Sequence, residues 1–189
     1  MGTKDRHMLE PAALLVEFSD HMRRGNLPGP VLDLASGEGH NGIYLATLGL
    51  QVICCDRSGD ALAAALRLAA EHGVRIRTWQ EDLEVPGVNP LPVEAFGAIV
   101  VFRYLHRPLF PAIRKALRQG GILVYETFTA DHAKFGKPRN PDHLLQPGEL
   151  RKVFEDWETI HWFEGEKTDP LRAVAQIVCR RPRGGGGGG

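Results

Sequence analysis

Residues 31–42 read VLDLASGEGHNG, and this stretch decides the fold. An apolar run, Val31–Ala35, carries a single acid, Asp33, and passes through small residues into a segment, His40–Leu48, with helical patterning closed by Gly49. Glycine lets a backbone adopt angles that other residues avoid and lets it pass close to a ligand. The start of a helix offers unpaired N–H groups to negative charge. Asp33 can hold a cationic ligand group beside that loop, directly or through water. A strand, a glycine loop and a helix in this order predict a ligand crevice in an α/β sheet.

Working outward, the same alternation continues in both directions. Upstream, Pro11 to about Arg24 predicts a helix with Leu14, Leu15 and Phe18 as its apolar stripe, stopped at Gly25. Downstream, Gln51–Cys55 predicts a second strand, and Ser58 caps an alanine-rich helix that ends near Gly73. Val74–Trp79 alternates apolar and basic residues, as an edge strand does, whereas Ala98–Phe102 is apolar enough to be buried on both faces. Pro108 opens a further helix that stops at Gly120–Gly121, and Ile122–Phe128 is a fifth strand. Trp157–Glu164 and Ala173–Arg180 follow with only a polar turn between them, which predicts an antiparallel hairpin. The fold expected is a doubly wound, mostly parallel seven-stranded α/β sheet with a C-terminal antiparallel hairpin. It forms one domain over residues 1–182, with residues 1–7 mobile and the glycine tail 183–189 disordered.

Two ligand classes fit the glycine loop. Gly37-x-Gly39-x-x-Gly42 matches a dinucleotide fingerprint, with Asp56 nineteen residues after Gly37 as a ribose ligand. That reading gives an NAD(P)-dependent oxidoreductase. Asp33 argues against it, because an apolar residue more often stands at that place, and so does the closing hairpin. An acid ahead of a small-residue G-x-G loop resembles the first motif of the class I S-adenosylmethionine-dependent methyltransferases. Within them, GEGHNGIYLATLGLQVICCDRSGDAL resembles the small tellurite-resistance and thiopurine-type enzymes, over roughly residues 31–128.

The resemblance implies S-adenosylmethionine as methyl donor and S-adenosylhomocysteine as product. It implies that Asp33, Ala35, Gly37, Gly39 and Asn41 surround the methionine part of the donor. Asp56 then takes the ribose hydroxyls, Asp82 and Leu83 the adenine edge, and Phe102 and Arg103 the sulfonium end. Two positions depart from the pattern: Ala35 stands where many relatives have the first loop glycine, and Arg57 replaces an apolar residue that packs on adenine, where a guanidinium can stack instead.

Ligands of open α/β sheets lie at the carboxyl ends of the strands, which directs attention to 103–108 and 126–129. Methyl transfer from a sulfonium leaves a neutral thioether, so a base is needed only for an acceptor that carries a proton. His106 and Arg103 are the candidate catalytic residues. Tyr104 and Phe128 are candidate substrate contacts, as are His132, Phe135 and Arg139 in the segment 130–146, ADHAKFGKPRNPDHLLQ, read as a lid leading to a helix opened by Pro147. No metal-ligand spacing emerges from the eight histidines and three cysteines, and Cys54, Cys55 and Cys179 read as buried thiols.

Lys plus Arg equals Asp plus Glu at 23 each, so no global field draws a nucleic acid, and no apolar run is long enough to span a membrane. The N-terminus lacks a signal-peptide core, and a cytoplasmic protein is expected. The function expected is methyl transfer to a small-molecule acceptor. Methyl transfer to protein or RNA, a non-catalytic donor-binding module and the NAD(P)-dependent oxidoreductase are the other readings that remain. Composition and motifs say nothing about oligomeric state.

Overall fold

The structure is a computed structural model that describes residues 8–24 and 27–184. The expected helix stop at Gly25, the segment 1–7 and the tail glycines 185–189 lie outside the described residues. Arg183 and Gly184, expected in a disordered tail, lie against the sheet end: Gly184 N–H donates to Gln119 Oε1 at 2.8 Å.

Seven strands form one sheet: β1 (Val31–Leu34), β2 (Val52–Asp56), β3 (Arg77–Gln80), β4 (Phe96–Phe102), β5 (Leu117–Phe128), β6 (Glu158–Lys167) and β7 (Arg172–Arg180). Their order is β3-β2-β1-β4-β5-β7-β6, parallel from β3 to β5. β7 runs antiparallel between β5 and β6. The doubly wound sheet and its closing hairpin are therefore present as expected. The chain builds outward from β1 to β3, then returns to lay β4 on the other side of β1. That reversal opens a crevice at the carboxyl ends of β1 and β4.

Helices α1 (Ala13–Arg24), α2 (His40–Thr47) and α3 (Gly59–Glu71) cover one face. Their core includes Leu14, Leu15, Met22, Leu45 and Leu62 against Val31, Cys54, Val100 and Val124. Helices α4 (Phe110–Ala116) and α5 (Glu149–Val153) cover the other, where Phe110, Ile113, Leu150 and Phe154 meet Leu32, Leu34, Ile99 and Tyr125. The alternation of β1 divides these sets: Val31 and Asp33 face α1 and α2, while Leu32 and Leu34 face α4 and α5. Cys54, Cys55 and Cys179 are all free and buried.

Several expected boundaries move: α1 begins at Ala13 and not at Pro11, and β3 runs Arg77–Gln80 and not from Val74. α4 ends at Ala116 and not at Gly120–Gly121, because Leu117 is fully buried and already pairs with Phe96 in the sheet. Gly120 and Gly121 lie inside β5 for a different reason: a Cβ on Gly121 would stand 2.7 Å from the carbonyl oxygen of Gly97. The strand bends there, and the register with β4 shifts between Phe96 and Ala98. α5 begins at Glu149, after Gly148 in the left-handed conformation, and not at Pro147.

Candidate active site

The loop after β1 is held by two carboxylates before any ligand is considered. Asp33 Oδ2 accepts the Gly42 N–H at 2.8 Å. Gly42 lies in the first turn of α2, whose N-cap residue, Gly39, has no side chain to offer, so Asp33 caps the helix from the neighbouring strand. Only glycine permits this approach: a Cβ on Gly42 would lie 3.0 Å from Asp33 Oδ2 and 2.7 Å from Cys54 Sγ. On β2, Asp56 Oδ2 accepts the Gly37 N–H at 2.8 Å while its Oδ1 accepts the Ser58 N–H at 2.9 Å.

Asp33 is 2% exposed. Burial pushes its carboxyl up to about 7, the Gly42 N–H pulls it down in part, and the negative charge of Asp56 raises it further. A cation arriving beside it would reverse that shift. Ala35 occupies the left-handed region at φ 56° without being glycine, and Arg103 does the same at φ 56°. Strain of this kind concentrates at binding sites.

Two cavities meet at Ala35. The smaller, about 190 Å³, is lined by Ala35, Asp56, Arg57, Glu81, Asp82, Leu83, Glu84 and Tyr104. Leu83 is buried at its base, and the exposed Asp82 accepts the Glu84 N–H through Oδ1 at 3.0 Å. Tyr104 was expected at the acceptor and belongs instead to this slot. Its hydroxyl is buried without a hydrogen-bond partner among the described residues, and burial together with the nearby Glu84 pushes its pKa up.

The larger cavity, about 730 Å³, lies on the α1 side of the same strand ends. Asp33, Phe102, Arg103, Glu126 and Phe128 form its floor, and Asn41 lies beside them. Glu10 to Ala13, Gly136–Lys137 and the turn Asp169–Arg172 close it from three sides. Sequence reasoning read 130–146 as a cover and pointed to the strand end 126–129, but it gave Glu126 no role and missed the walls from residues 10–13 and 169–172. Asn41 lines the cavity but spends its Oδ1 on the Ala12 N–H at 2.8 Å, tying the start of α1 to α2.

The segment 130–146 is anchored at both ends. Leu145 bridges to Thr129, and Leu144 and Leu145 are buried. Arg107 clamps it: Nε and Nη2 reach the Glu149 carboxylate at 2.6 and 2.9 Å, and the guanidinium also donates to the carbonyls of Asp142 and Leu144. His132 is buried and stacks on Phe128 with ring centroids 4.0 Å apart. Its Nδ1 takes the Ala173 N–H at 3.4 Å, so Nε2 carries the hydrogen and donates to the Lys137 carbonyl at 3.0 Å. Both ring nitrogens are committed. His106, Phe135 and Arg139 line neither cavity: His106 precedes the short 3-10 turn Arg107–Leu109, Phe135 packs edge-on to His132, and Arg139 is exposed.

A family model described as a methyltransferase domain matches residues 31–121. Hemagglutinin 1 of Eikenella corrodens is 30% identical over 148 residues, covering 72% of this chain and 46% of that protein. A protein of Haemophilus influenzae described as "Probable S-adenosyl-L-methionine-dependent methyltransferase TehB" is 28% identical over 151 residues, covering 75% of this chain and 52% of the relative. The tRNA 5-carboxymethoxyuridine methyltransferase of Escherichia coli is 27% identical over 135 residues, covering 62% and 52%. The chain thus spans about half the length of the curated relatives it matches. Among solved structures, TehB from Haemophilus influenzae superimposes with a TM-score of 0.66 at 20% identity, covering 86% of this chain and 62% of that one.

Proposed function

Because the chain belongs to the class I S-adenosylmethionine-dependent methyltransferases, close to TehB, we propose that it transfers a methyl group from S-adenosylmethionine to a small-molecule acceptor. The observation that carries this reading is the pair of cavities sharing Ala35 as a wall, one of nucleoside size and one beyond it at the sheet's switch point.

The residues suit the donor. The nucleoside belongs in the smaller slot, with Asp56 on the ribose and Asp82, Leu83 and Tyr104 about the base. A Cβ on Gly37 would meet nothing within 4 Å, so the backbone there lies open to the ligand. The methionine end belongs against Asp33, whose buried carboxyl gains a cationic partner in its ammonium group. Asn41, Phe102 and Arg103 lie along the same wall. When bound, the donor supplies an electrophilic methyl on a sulfonium and departs as a neutral thioether. The chain's own part is to orient the two reactants and exclude water.

The acceptor cavity favours a compact molecule over tRNA or protein, since the start of α1, the anchored 130–146 segment and the β6–β7 turn all close over it. No helix among the described residues is long and apolar enough to cross a membrane. Calorimetry with S-adenosylhomocysteine, S-adenosylmethionine, NAD and NADP tests the donor assignment. Heat with the first two and none with the dinucleotides is expected, and the reverse pattern overturns the reading. Product formation from labelled donor across a panel of small molecules then separates an enzyme from a binding module.

A further inference from the structure

Building on that reading, we propose that Glu126 is the acceptor-facing acid–base residue, and that it selects hydroxyl, thiol or amine nucleophiles over carboxylates. Glu126 lies near the end of β5 in register with Phe102, on the same face of the sheet as Asp33 but across β4 from it. It lines the acceptor cavity while only 7% exposed. An isolated buried carboxylate is costly unless it is hydrogen-bonded, and this one is held by a dedicated partner.

That partner is Gln176, its neighbour on β7, whose Nε2 donates to Glu126 Oε2. Gln176 is 1% exposed, and its Oε1 in turn receives the His161 Nε2 hydrogen at 3.1 Å. His161 stands just past a register shift in β6 and packs on Phe18 of α1 with ring centroids 4.9 Å apart. The chain of bonds crosses three neighbouring strands and fixes the amide one way round: the NH₂ points at the carboxylate because the oxygen is already taken. Gln176 is thus a positioning residue. It leaves Glu126 Oε1 without a protein partner among the described residues.

No other group in the cavity is as well placed to take a proton: the carboxylates of Glu10 and Asp169 also line it, but both are exposed. Both nitrogens of His132 are engaged, His40 Nδ1 accepts the Glu10 N–H at 3.2 Å, and Asp33 caps α2. Phe102 and Phe128 flank Glu126 on the floor and suit an apolar or aromatic acceptor body. The cations Arg103 and Lys137 are exposed at the rim, and the half-buried Arg172 donates to the Pro170 carbonyl, so none neutralises Glu126 by an ion pair. A carboxylate acceptor would meet a like charge there, while a protic nucleophile can give up its hydrogen. As the bond from the nucleophile to the methyl carbon forms, the sulfur–carbon bond breaks and its electron pair remains on sulfur. The nucleophile's proton passes to Glu126 and then to water.

The test uses a matched aromatic series, phenol, thiophenol, benzylamine and benzoate, with wild type, Glu126→Gln and Gln176→Leu. Calorimetry on protein saturated with S-adenosylhomocysteine reads binding, and labelled donor reads turnover. Glu126→Gln keeps the bond from Gln176 through its amide oxygen. It is expected to bind S-adenosylhomocysteine within twofold of wild type, to bind benzylamine at least tenfold more weakly, and to lose about 100-fold in kcat on any protic acceptor of the series. Gln176→Leu is expected to lose about tenfold in kcat with KM and donor affinity little changed, a split that a merely structural role would not give. Benzoate as the preferred ligand or substrate, protic acceptors indifferent to Glu126→Gln, or a donor-binding wild type that neither binds nor methylates the three protic compounds would each overturn the proposal. Absence of any heat with S-adenosylhomocysteine would instead bring down the donor reading beneath it.

Discussion

The two cavities that meet at Ala35 are built in opposite ways. The smaller cavity, to which we assign the nucleoside, comes mainly from strand ends and the loops directly after them: Ala35 after β1, Asp56–Arg57 at the end of β2 and Glu81–Glu84 after β3. Each lies beside an element whose pattern is local in sequence. The larger cavity, to which we assign the acceptor, also draws on the 33–41 stretch but adds residues 10–13, 102–103, 126, 128, 132, 136–137 and 169–172, segments joined only by folding. A shared cofactor can be gripped by a short, repeatable motif. An acceptor specific to one enzyme is recognised by whatever the periphery of the fold brings over the sheet.

The sharpest way to break this contrast is Asp56→Ala. Asp56 holds Gly37 and Ser58 and lines the smaller cavity, so its loss loosens the loop and would remove the proposed ribose contact. We expect about a 100-fold loss in S-adenosylhomocysteine affinity, near 3 kcal/mol, by calorimetry. The acceptor side should keep its shape, with the Arg107–Glu149 clamp intact. Equal affinity in mutant and wild type would mean that Asp56 is only a loop brace.

The converse experiment is Arg107→Ala. It removes a bidentate pair with Glu149 and two bonds to carbonyls of the 130–146 segment. A loss of about 2 kcal/mol in unfolding free energy is expected, since several partners are left without a donor. Faster proteolysis within 134–143 should accompany it, while affinity for S-adenosylhomocysteine stays the same. If donor affinity falls in parallel, the two cavities are not separable.

Asp33 lines the larger cavity, two residues before the shared Ala35, and its protonation gives a third test. With its carboxyl pushed up to about 7, it is largely protonated at pH 6 and ionised at pH 8. A cationic methionine end requires the ionised form, so affinity for S-adenosylhomocysteine should fall about tenfold from pH 8 to pH 6, with proton release on binding near pH 7. The sign for folding is opposite. A carboxyl whose folded pKa is raised binds its proton more tightly when folded, so this contribution is complete below the unfolded value of 3.8 and is lost as pH rises through about 7. Asp33→Asn should flatten the pH dependence of binding. Unchanged pH dependence would remove Asp33 from the site.

The same contrast explains what the sequence disclosed. Residues 31–42 carried the strand, the loop and the helix start because glycine, a buried acid and helical periodicity each leave a local mark. The parallel sheet followed from alternation, and the hairpin from two strands without a helix between them. Local signals failed where a side chain's partner is distant. His106 looked suited to chemistry by type alone, yet it lies outside both cavities. Glu126 sits in the apolar run ILVYETF, and nothing nearby in sequence announces Gln176, fifty residues later, as its partner. Gly120 and Gly121 read as a helix stop because the close packing of Gly121 against Gly97, and of Gly120 against Arg183, is invisible until the chain has folded.

Ala35 gives the smallest and most discriminating effect. It stands at φ 56°, where a Cβ crowds the following carbonyl at a cost of about 1 kcal/mol, and glycine would remove that crowding while adding entropy to the unfolded chain. The two terms oppose each other, so Ala35→Gly is expected to stabilise the protein by less than about 1 kcal/mol. Binding reads out more than stability does. If the Cβ at Ala35 keeps the wall between the cavities firm, glycine loosens donor and acceptor together: affinities for S-adenosylhomocysteine and for the aromatic probes should both weaken, by about twofold to threefold, with no loss of melting temperature. A change in donor affinity alone would assign Ala35 to the nucleoside loop and leave the acceptor cavity with a wall of its own.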